Sequence, residues 1–581
     1  MKTINTICKA IGLLIGIVTV VSLFNNCSSR VNNYSPDILI DQVGYLNNAP
    51  KMALIRSYQG KFTLVDTYTN KTVYKGKASD TVFWNSSNEW YAVADFSEVI
   101  KSGVYQLRLE NNLFSAPIYI NNTYPDSLFK ATLKAFYYTR ATMPIDSKFG
   151  ASWAREAGHP DTAVIIHESA GGVGRKAGDY ISSPGGWYDA GDYNKYIVNS
   201  AISVYTLLSA YDLYSKVIAD KSLNIPESDN LIPDILDETC YNVKWMLSMQ
   251  DSDGGVYHKL TTKKFEGFVM PQAATEARYV VMKTTAATLD FAASMAACAR
   301  IVEDVDSLVL LAGRCRESAI RAWNWALKNP EVYYIQPPDI QTGQYNDTSL
   351  SDEWLWASAE LYLLTMDRAY LRENEVLNPQ FPYTTPSWDL VQTLGLLSLV
   401  ANPSRVETDI LEKSNKMFLN FVDTLYAIYA HSPALVSLEY FKWGSNSDLA
   451  NQSVLASVAY RLTGSDKYAW MALDNLHYLL GRNPVGYCFV TGFGYQSPMY
   501  IHHRPSGADG IEKPVPGFLV GGPNTIVLND CGDSVSRSKW PACSYTDSEC
   551  SYSTNEVAIN WNAPMVFALA ATLDFLHNQD K

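Results

Sequence analysis

A chain of 581 residues is too long for one ordinary hydrophobic core, and with 47% hydrophobic against 18% charged residues it is folded rather than disordered. Its formal net charge of -13 excludes nucleic acid and polyanions as partners, because each would meet a repulsive field, and leaves neutral ligands. The 38 Tyr and 14 Trp permit a ligand with apolar faces that stack on rings, as sugars have, although most of these rings belong to packing.

In chain order, Lys2 and Lys9 precede an apolar run over 11–24, shorter than the roughly 20 residues a spanning helix needs, and residues 1–26 read as a signal peptide. Cys27 stands where a bacterial lipoprotein is cut and lipidated, although Asn25 and Asn26 replace the usual small residues there. Residues 27–36 follow as a linker. The expectation is an exported monomer held to the membrane only through its N-terminal lipid, on the periplasmic side of the outer membrane or at the cell surface, with ordinary secretion or an uncleaved anchor as the alternatives.

Nine cysteines include Cys8 in the leader and Cys27, and the remaining seven have no CxxC spacing, a poor framework for zinc or for a disulfide scaffold. Cys298 and Cys315 fall in helical patterns and read as small buried hydrophobes. Cys531, Cys543 and Cys550 cluster, with room for one disulfide whose pairing the sequence leaves open.

From 37 to 121 the pattern is short β-branched or alternating runs, at 38–40, 52–55, 62–65, 91–93 and 104–109, between Gly, Asn, Asp and Ser clusters. That predicts a small β-sandwich of the immunoglobulin type. From 125 to 578 the period changes to helical. Segments after Asp126 and at 198–214, 232–249, 283–301, 307–327, 352–366, 388–399, 407–429, 449–462, 467–480 and 563–577 give about a dozen helices, which suit a closed double ring better than a four-helix bundle. The fold class is mainly α. Asp251-Ser-Asp253-Gly-Gly255 resembles the start of a calcium loop, but its closing position falls on Thr262, so that motif is rejected.

Two polar stretches carry candidate chemistry. In Gly185-Gly186-Trp187-Tyr188-Asp189-Ala190-Gly191-Asp192-Tyr193, glycine turns bring Asp189 and Asp192 together, and like charges so close must be wet or must share a water or a cation. Alone, this is better explained as a calcium loop or a solvated acidic turn. The second stretch, 545–564, sets Asp547, Glu549, Tyr552, Glu556 and a run of amides just ahead of an apolar helix, where a catalytic acid would be mounted. Cleaving a glycosidic bond requires such a separated acid and base.

These residues resemble the family-nine glycoside hydrolases, endoglucanases built on an (α/α)6 barrel, in the subgroup with an N-terminal immunoglobulin-like domain. The likeness runs from 41–50 through the Asp189 turn, Trp443-Gly-Ser-Asn-Ser447, Leu480-Gly-Arg-Asn-Pro484, His502-His-Arg504 and Gly521-Gly-Pro-Asn524 to the 545–563 stretch. The resemblance implies Asp192 as general base, Asp189 as its helper on the attacking water and Glu556 as general acid. It further implies that His502 and Arg504 bind sugar, that Asp547 and Tyr552 support the acid's loop and the substrate hydroxyls, and that Trp356 and Trp388 line the cleft. A lone His502 would more often be a buried structural histidine, and each of the two tryptophans is nearly as well placed for a core.

Two departures qualify the likeness. Family members of this subgroup hold a structural zinc with two cysteines near the segment that here reads Ala157-Gly158-His159, and with only His159 and His167 present the zinc is expected to be lost. The aromatic-rich distal loop is here Thr261-Thr-Lys-Lys-Phe265-Glu-Gly-Phe268, which leaves substrate preference open. No cofactor is required, and a structural calcium has no nameable ligand set. The expected activity is inverting hydrolysis of β-1,4-glucosidic bonds in cellulose-like, xyloglucan or mixed-linkage chains. The competing readings are a non-catalytic glycan-binding lipoprotein and an exo-acting glucosaminidase.

Overall fold

The structure, a computed structural model, describes residues 34–172, 174–378 and 380–579. The leader and Cys27 lie outside the described residues.

Eight strands form the N-terminal sandwich: β1 (Ile38–Leu39), β2 (Met52–Arg56), β3 (Lys61–Asp66), β4 (Thr72–Lys77), β5 (Val82–Trp84), β6 (Glu89–Asp95), β7 (Gly103–Leu109) and β8 (Ile118–Ile120). They pair as two sheets, β1-β2-β6-β5 and β4-β3-β7-β8. Alternation sets the two faces. Ala53, Ile55, Leu64, Ala92, Ala94 and Leu107 point between the sheets and are buried. Strands β4, β5 and β8 escape the sequence reading, β4 because it is largely exposed and β5 and β8 because three residues are too few to establish a period.

Twelve helices then alternate between an outer and an inner ring. The outer ones are α1 (Tyr124–Thr139), α3 (Asp234–Ser248), α5 (Val309–Lys328), α7 (Glu373–Val376), α9 (Thr408–His431) and α11 (Asp466–Leu479). The inner ones are α2 (Ile197–Ile218), α4 (Thr285–Val302), α6 (Ser351–Thr365), α8 (Gln392–Ala401), α10 (Ser445–Thr463) and α12 (Ile559–Gln579), and each packs on the next until α12 closes the ring against α2. This is an (α/α)6 barrel. The inner helices are buried on almost every face, so they lack a polar stripe, whereas outer α9 buries one stripe of Ile410, Ser414, Phe418, Val422 and Leu425 at helical spacing. Inner α4 is consequently long and apolar enough to cross a membrane, yet its side chains lie inside the barrel.

The sandwich is fastened to the barrel by buried polar bonds. Asp41 accepts from His477 Nδ1 at 2.7 Å, and Gln42 donates to the Gly486 carbonyl at 2.7 Å while accepting from the Tyr495 and Gln496 amides. Trp84 of β5 lies edge-on to Phe441, with ring centroids 6.1 Å apart. Five further two- or three-residue strands, β9 (Val164–Ile166), β10 (Tyr180–Ile181), β11 (Lys195–Tyr196), β12 (Lys259–Thr261) and β13 (Tyr279–Val280), make a small sheet beside the turn that carries Asp189 and Asp192.

Candidate active site

The Asp189 turn is held from below before it is held from the side. Trp187 is fully buried, its indole N–H donates to Glu238 at 2.8 Å and its amide donates to Asn242 at 3.0 Å, so α3 anchors the turn. Gly186 adopts φ +77°, and a Cβ there would stand 2.7 Å from the Trp245 ring, so only glycine brings the chain this close.

Asp189 is 1% exposed and accepts from Asn199 Nδ2 at 2.8 and 3.1 Å and from the Tyr345 hydroxyl at 2.7 Å. Asp192, 4% exposed, accepts from Asn194 Nδ2. Burial raises the carboxyls of both, and the Asp192 charge adds to the rise at Asp189, which is pushed up to about 8. Arg504 pulls Asp192 back down, and the Asn199 and Tyr345 donors do the same for Asp189. The charge of Asp192 thus disfavours ionisation of Asp189, and Arg504 favours the charged form at Asp192 but not at Asp189.

The acid's stretch meets this turn directly. The Ile559 amide, at the start of α12, donates to the Asp189 carbonyl at 2.9 Å, and the Arg504 amide and Nη1 donate to the Gly191 carbonyl at 3.0 and 2.8 Å. A Cβ on Gly191 would stand 2.1 Å from the His502 carbonyl oxygen, so any other residue there would push the two loops apart. His502 and Glu556 are bridged as neighbouring extended segments. Burial first, and the nearby Asp192 second, raise the half-buried Glu556 carboxyl well above the ordinary glutamate range, which keeps it protonated.

His502 donates from Nδ1 to the Glu549 carbonyl at 2.6 Å, since a carbonyl only accepts, and this leaves Nε2 as an acceptor toward the cleft. Burial lowers its pKa, so the ring is neutral. Arg504 donates from Nε to the Glu266 carbonyl at 2.8 Å and lies over the Phe265 and Phe268 rings at 5.5 Å each. Tyr552 lies 6.1 Å from His502 and 5.4 Å from Trp443, ring to ring. Asp547 accepts from the Met499 and Tyr500 amides and from Asn555 Nδ2 at 2.8, 2.9 and 2.9 Å, so it holds the acid's loop to the strand that leads to His502.

The two tryptophans part company. Trp388 is half-buried and meets the Tyr345 ring at 5.0 Å, one residue removed from Asp189. Trp356 is not a cleft residue: it sits on inner helix α6 with no exposed surface, edge-on to Tyr205 at 5.2 Å. The reason is its helix, which is buried on every side from Asp352 to Leu364.

Tyr345, Asn199 and Trp443 are absent from the sequence-based site. Asn199 follows Asp189 by ten residues at the head of α2, a signal of sorts, whereas Tyr345 comes from a polar loop 156 residues away and nothing local marks it. Cys531 pairs with Cys550 across 19 residues, which leaves Cys543 free. Closing a loop of this length contributes about 3 kcal/mol by restricting the unfolded chain, here across the segment that carries Asp547.

Among the described residues, one cluster of ligand-type groups is tight enough for a metal ion: oxygens of Asp347, Asp352 and Glu353, all buried, lie within 4.8 Å of one another. Asp290 of α4 is fully buried beside them with neither carboxyl oxygen bonded to the protein. His159 and His167 do not converge. His159 Nδ1 pairs with the Tyr188 hydroxyl at 2.8 Å, and His167 pairs with Ser169 and Asp339.

The barrel and its opposed carboxyls define a glycoside hydrolase. Residues 126–569 match the model of glycosyl hydrolase family 9 and residues 33–112 that of the cellulase N-terminal ig-like domain, so the chain belongs to family 9. It is 41% identical over 562 residues to a xyloglucan-specific endo-β-1,4-glucanase of Bacteroides ovatus, covering 93% of this chain and 94% of that protein. It is 32% identical to endoglucanase D of Acetivibrio thermocellus, covering 94% and 85%. Among solved structures, a Bacteroides ovatus family-9 enzyme superposes with a TM-score of 0.86 at 40% identity, over 93% of this chain and 99% of that one. A thermostable endoglucanase of Alicyclobacillus acidocaldarius gives 0.84 at 31% identity, over 93% and 100%.

Proposed function

We propose that the protein is an inverting endo-β-1,4-glucanase acting on a neutral β-glucan, with xyloglucan as its preferred chain. The observation that carries this reading is the direct bonding of the Asp189 turn to the Glu556 loop through Gly191, Arg504 and Ile559, which sets Asp192, its charged form favoured by Arg504, near Glu556, its protonated form favoured by burial. Asp192 takes a proton from water as that water attacks the anomeric carbon, while Glu556 gives its proton to the leaving oxygen. Asp189, held by Asn199 and Tyr345, accepts the other hydrogen of the water. His502 Nε2 and the remaining Arg504 N–H groups bind sugar hydroxyls. The preference for xyloglucan rests on the specificity in the name of the Bacteroides ovatus relative.

A product profile on xyloglucan, mixed-linkage glucan and soluble cellulose derivatives tests this. Viscosity should fall well before reducing ends accumulate, and fastest on xyloglucan. Release of single sugars with lagging viscosity would instead support exo action, and no release from any chain would support a binding protein.

The acidic cluster fits a divalent cation and supports calcium. Its donors are all carboxylate oxygens, the choice of a hard ion, and four buried carboxyls without a counter-charge would have to hold protons. Burial raises all four, and repulsion from the other members adds to the rise at Asp290, Asp347 and Glu353. Asp347 lies two residues from Tyr345, so the ion would also steady the hydroxyl that bonds Asp189. Cation uptake displaces protons, and affinity therefore falls as pH drops. Chelation with EGTA should lower Tm by several degrees and be reversed by calcium. An unchanged Tm would refute the site.

For location, we propose export with a lipid on Cys27, motivated by the charged and apolar leader ahead of it. Cys27→Ala should move the protein from the membrane to the soluble fraction, and unchanged fractionation would remove this reading.

A further inference from the structure

The sandwich carries an exposed aromatic pair that its own packing does not use. In the β5–β6 hairpin, Phe83 stands opposite Trp90, with ring centroids 5.3 Å apart, and the two are 37% and 50% exposed. The alternate residues of the same hairpin, Trp84 and Tyr91, are 7% and 1% exposed and face the barrel. The hairpin thus has a complete anchoring face and a second aromatic face left in water, where rings of this size are costly to display.

Beside Trp90 the two sheets splay into an open cleft of about 450 Å³, within the roughly 300–1,000 Å³ of small-molecule sites. Ile55 and Leu109 give it an apolar floor, and Asn88, Asn111 and Ser57 stand at its rim. Its one cation, Arg56, is already committed to Glu89 at 3.1 Å and to the carbonyls of Pro36 and Pro484. With Arg56 and Glu89 paired to each other, the remaining charge of the lining is the carboxyl of Asp37, so an anion is disfavoured and a neutral ligand with hydroxyls to donate is favoured.

The position of the hairpin adds a second argument. Trp84 packs on Phe441, two residues before Trp443, whose ring lies 5.4 Å from Tyr552 at the active site. On the other side the Ala542 amide donates to the Ser86 carbonyl at 2.9 Å, just ahead of the stretch that carries Glu556. The hairpin is therefore fastened both to the segment that leads to Trp443 and to the segment that leads to Glu556.

We propose that this mouth of the sandwich, with Trp90 and Phe83 as its stacking platform, is an accessory binding site for the neutral β-glucan chain that the barrel cleaves. The inference rests on the glucanase reading for the identity of the chain. The Arg56 bonds to Pro36 and Pro484 hold the site at a fixed place relative to the cleft, so a polymer engaged at both raises its own local concentration at the catalytic carboxyls, whereas a short oligosaccharide gains nothing.

The test uses the full chain carrying Trp90→Ala, Phe83→Ala with Trp90→Ala, and Trp90→Tyr as the stacking-competent control. Retention in native gels containing xyloglucan or mixed-linkage glucan, and KM on these polymers, should weaken about three- to tenfold in the alanine variants. Turnover of a four-glucose oligosaccharide should not change, which also certifies folding, and Trp90→Tyr should restore most of the loss. Polymer retention and KM unaltered in the double variant would overturn the proposal. A shift of that variant from dimer to monomer in sedimentation would overturn it too, by assigning the face to a second copy of the chain. Retention that depends on Trp90 in a protein cleaving no β-glucan would uphold this site and refute the glucanase reading, whereas normal polymer cleavage independent of Trp90 would do the reverse.

Discussion

Glu556→Gln should fold as the parent does and lose about 10²–10⁴-fold in kcat on unactivated β-glucan, the range a positioned general acid contributes. Glutamine keeps the shape of the side chain and removes only the proton. An aryl glycoside with a good leaving group needs less protonation and should lose far less. The pH profile gives a second reading. Burial and Asp192 raise the Glu556 carboxyl, so wild-type activity should be present below its pKa and decline as pH rises through it. That alkaline limb should vanish in the variant. Equal losses on both substrates, or a persistent alkaline limb, would remove Glu556 from the role of acid.

Asp192→Asn should be equally damaging, by about 10²–10⁴-fold, but on activated and unactivated substrates alike, because water must be deprotonated in either case. It should abolish the acidic limb, where wild-type activity is lost as pH falls and Asp192 takes up a proton. Asp189→Asn should cost less, since Arg504 biases Asp192 and not Asp189 toward the ionised form. In the wild-type enzyme, proton NMR of fresh product should show the α-anomer first, as required if Asp192 activates water without attacking carbon. Initial β-anomer would mean a covalent intermediate, and an Asp189→Asn loss matching that of Asp192→Asn would reverse the two roles.

The contrast between Trp356 and Trp388 shows how far local pattern reaches. Both are tryptophans near helix starts, and both carry the same likeness to cleft positions. One is sealed inside α6 and the other touches Tyr345, a difference made by which faces the neighbouring inner helices cover. The short outer helix α7 was likewise invisible to periodicity, because four residues do not complete a hydrophobic repeat.

The acidic cluster marks the same limit from another side. Asp352 and Glu353 read as the polar first turn of a helix, and Asp290 as the one carboxylate of the mostly apolar α4. Only the packing of α4 against α6 brings the three together with Asp347 and turns ordinary carboxyls into a set that demands a counter-charge.

The two-part architecture follows from the sequence alone, through its change from alternating to helical period near residue 125, and so does the choice of the Asp189 turn and the 545–563 stretch as candidate carriers of the chemistry. Those are properties of neighbours along the chain, and spacing records them directly. Only the packing sets which way the ionisation of each carboxyl is biased, what holds Asp189, and which aromatics are left exposed. Each of these depends on burial and on charges a few ångströms away, supplied by segments as distant as Tyr345 and Arg504, and separation along the chain carries no information about such distances.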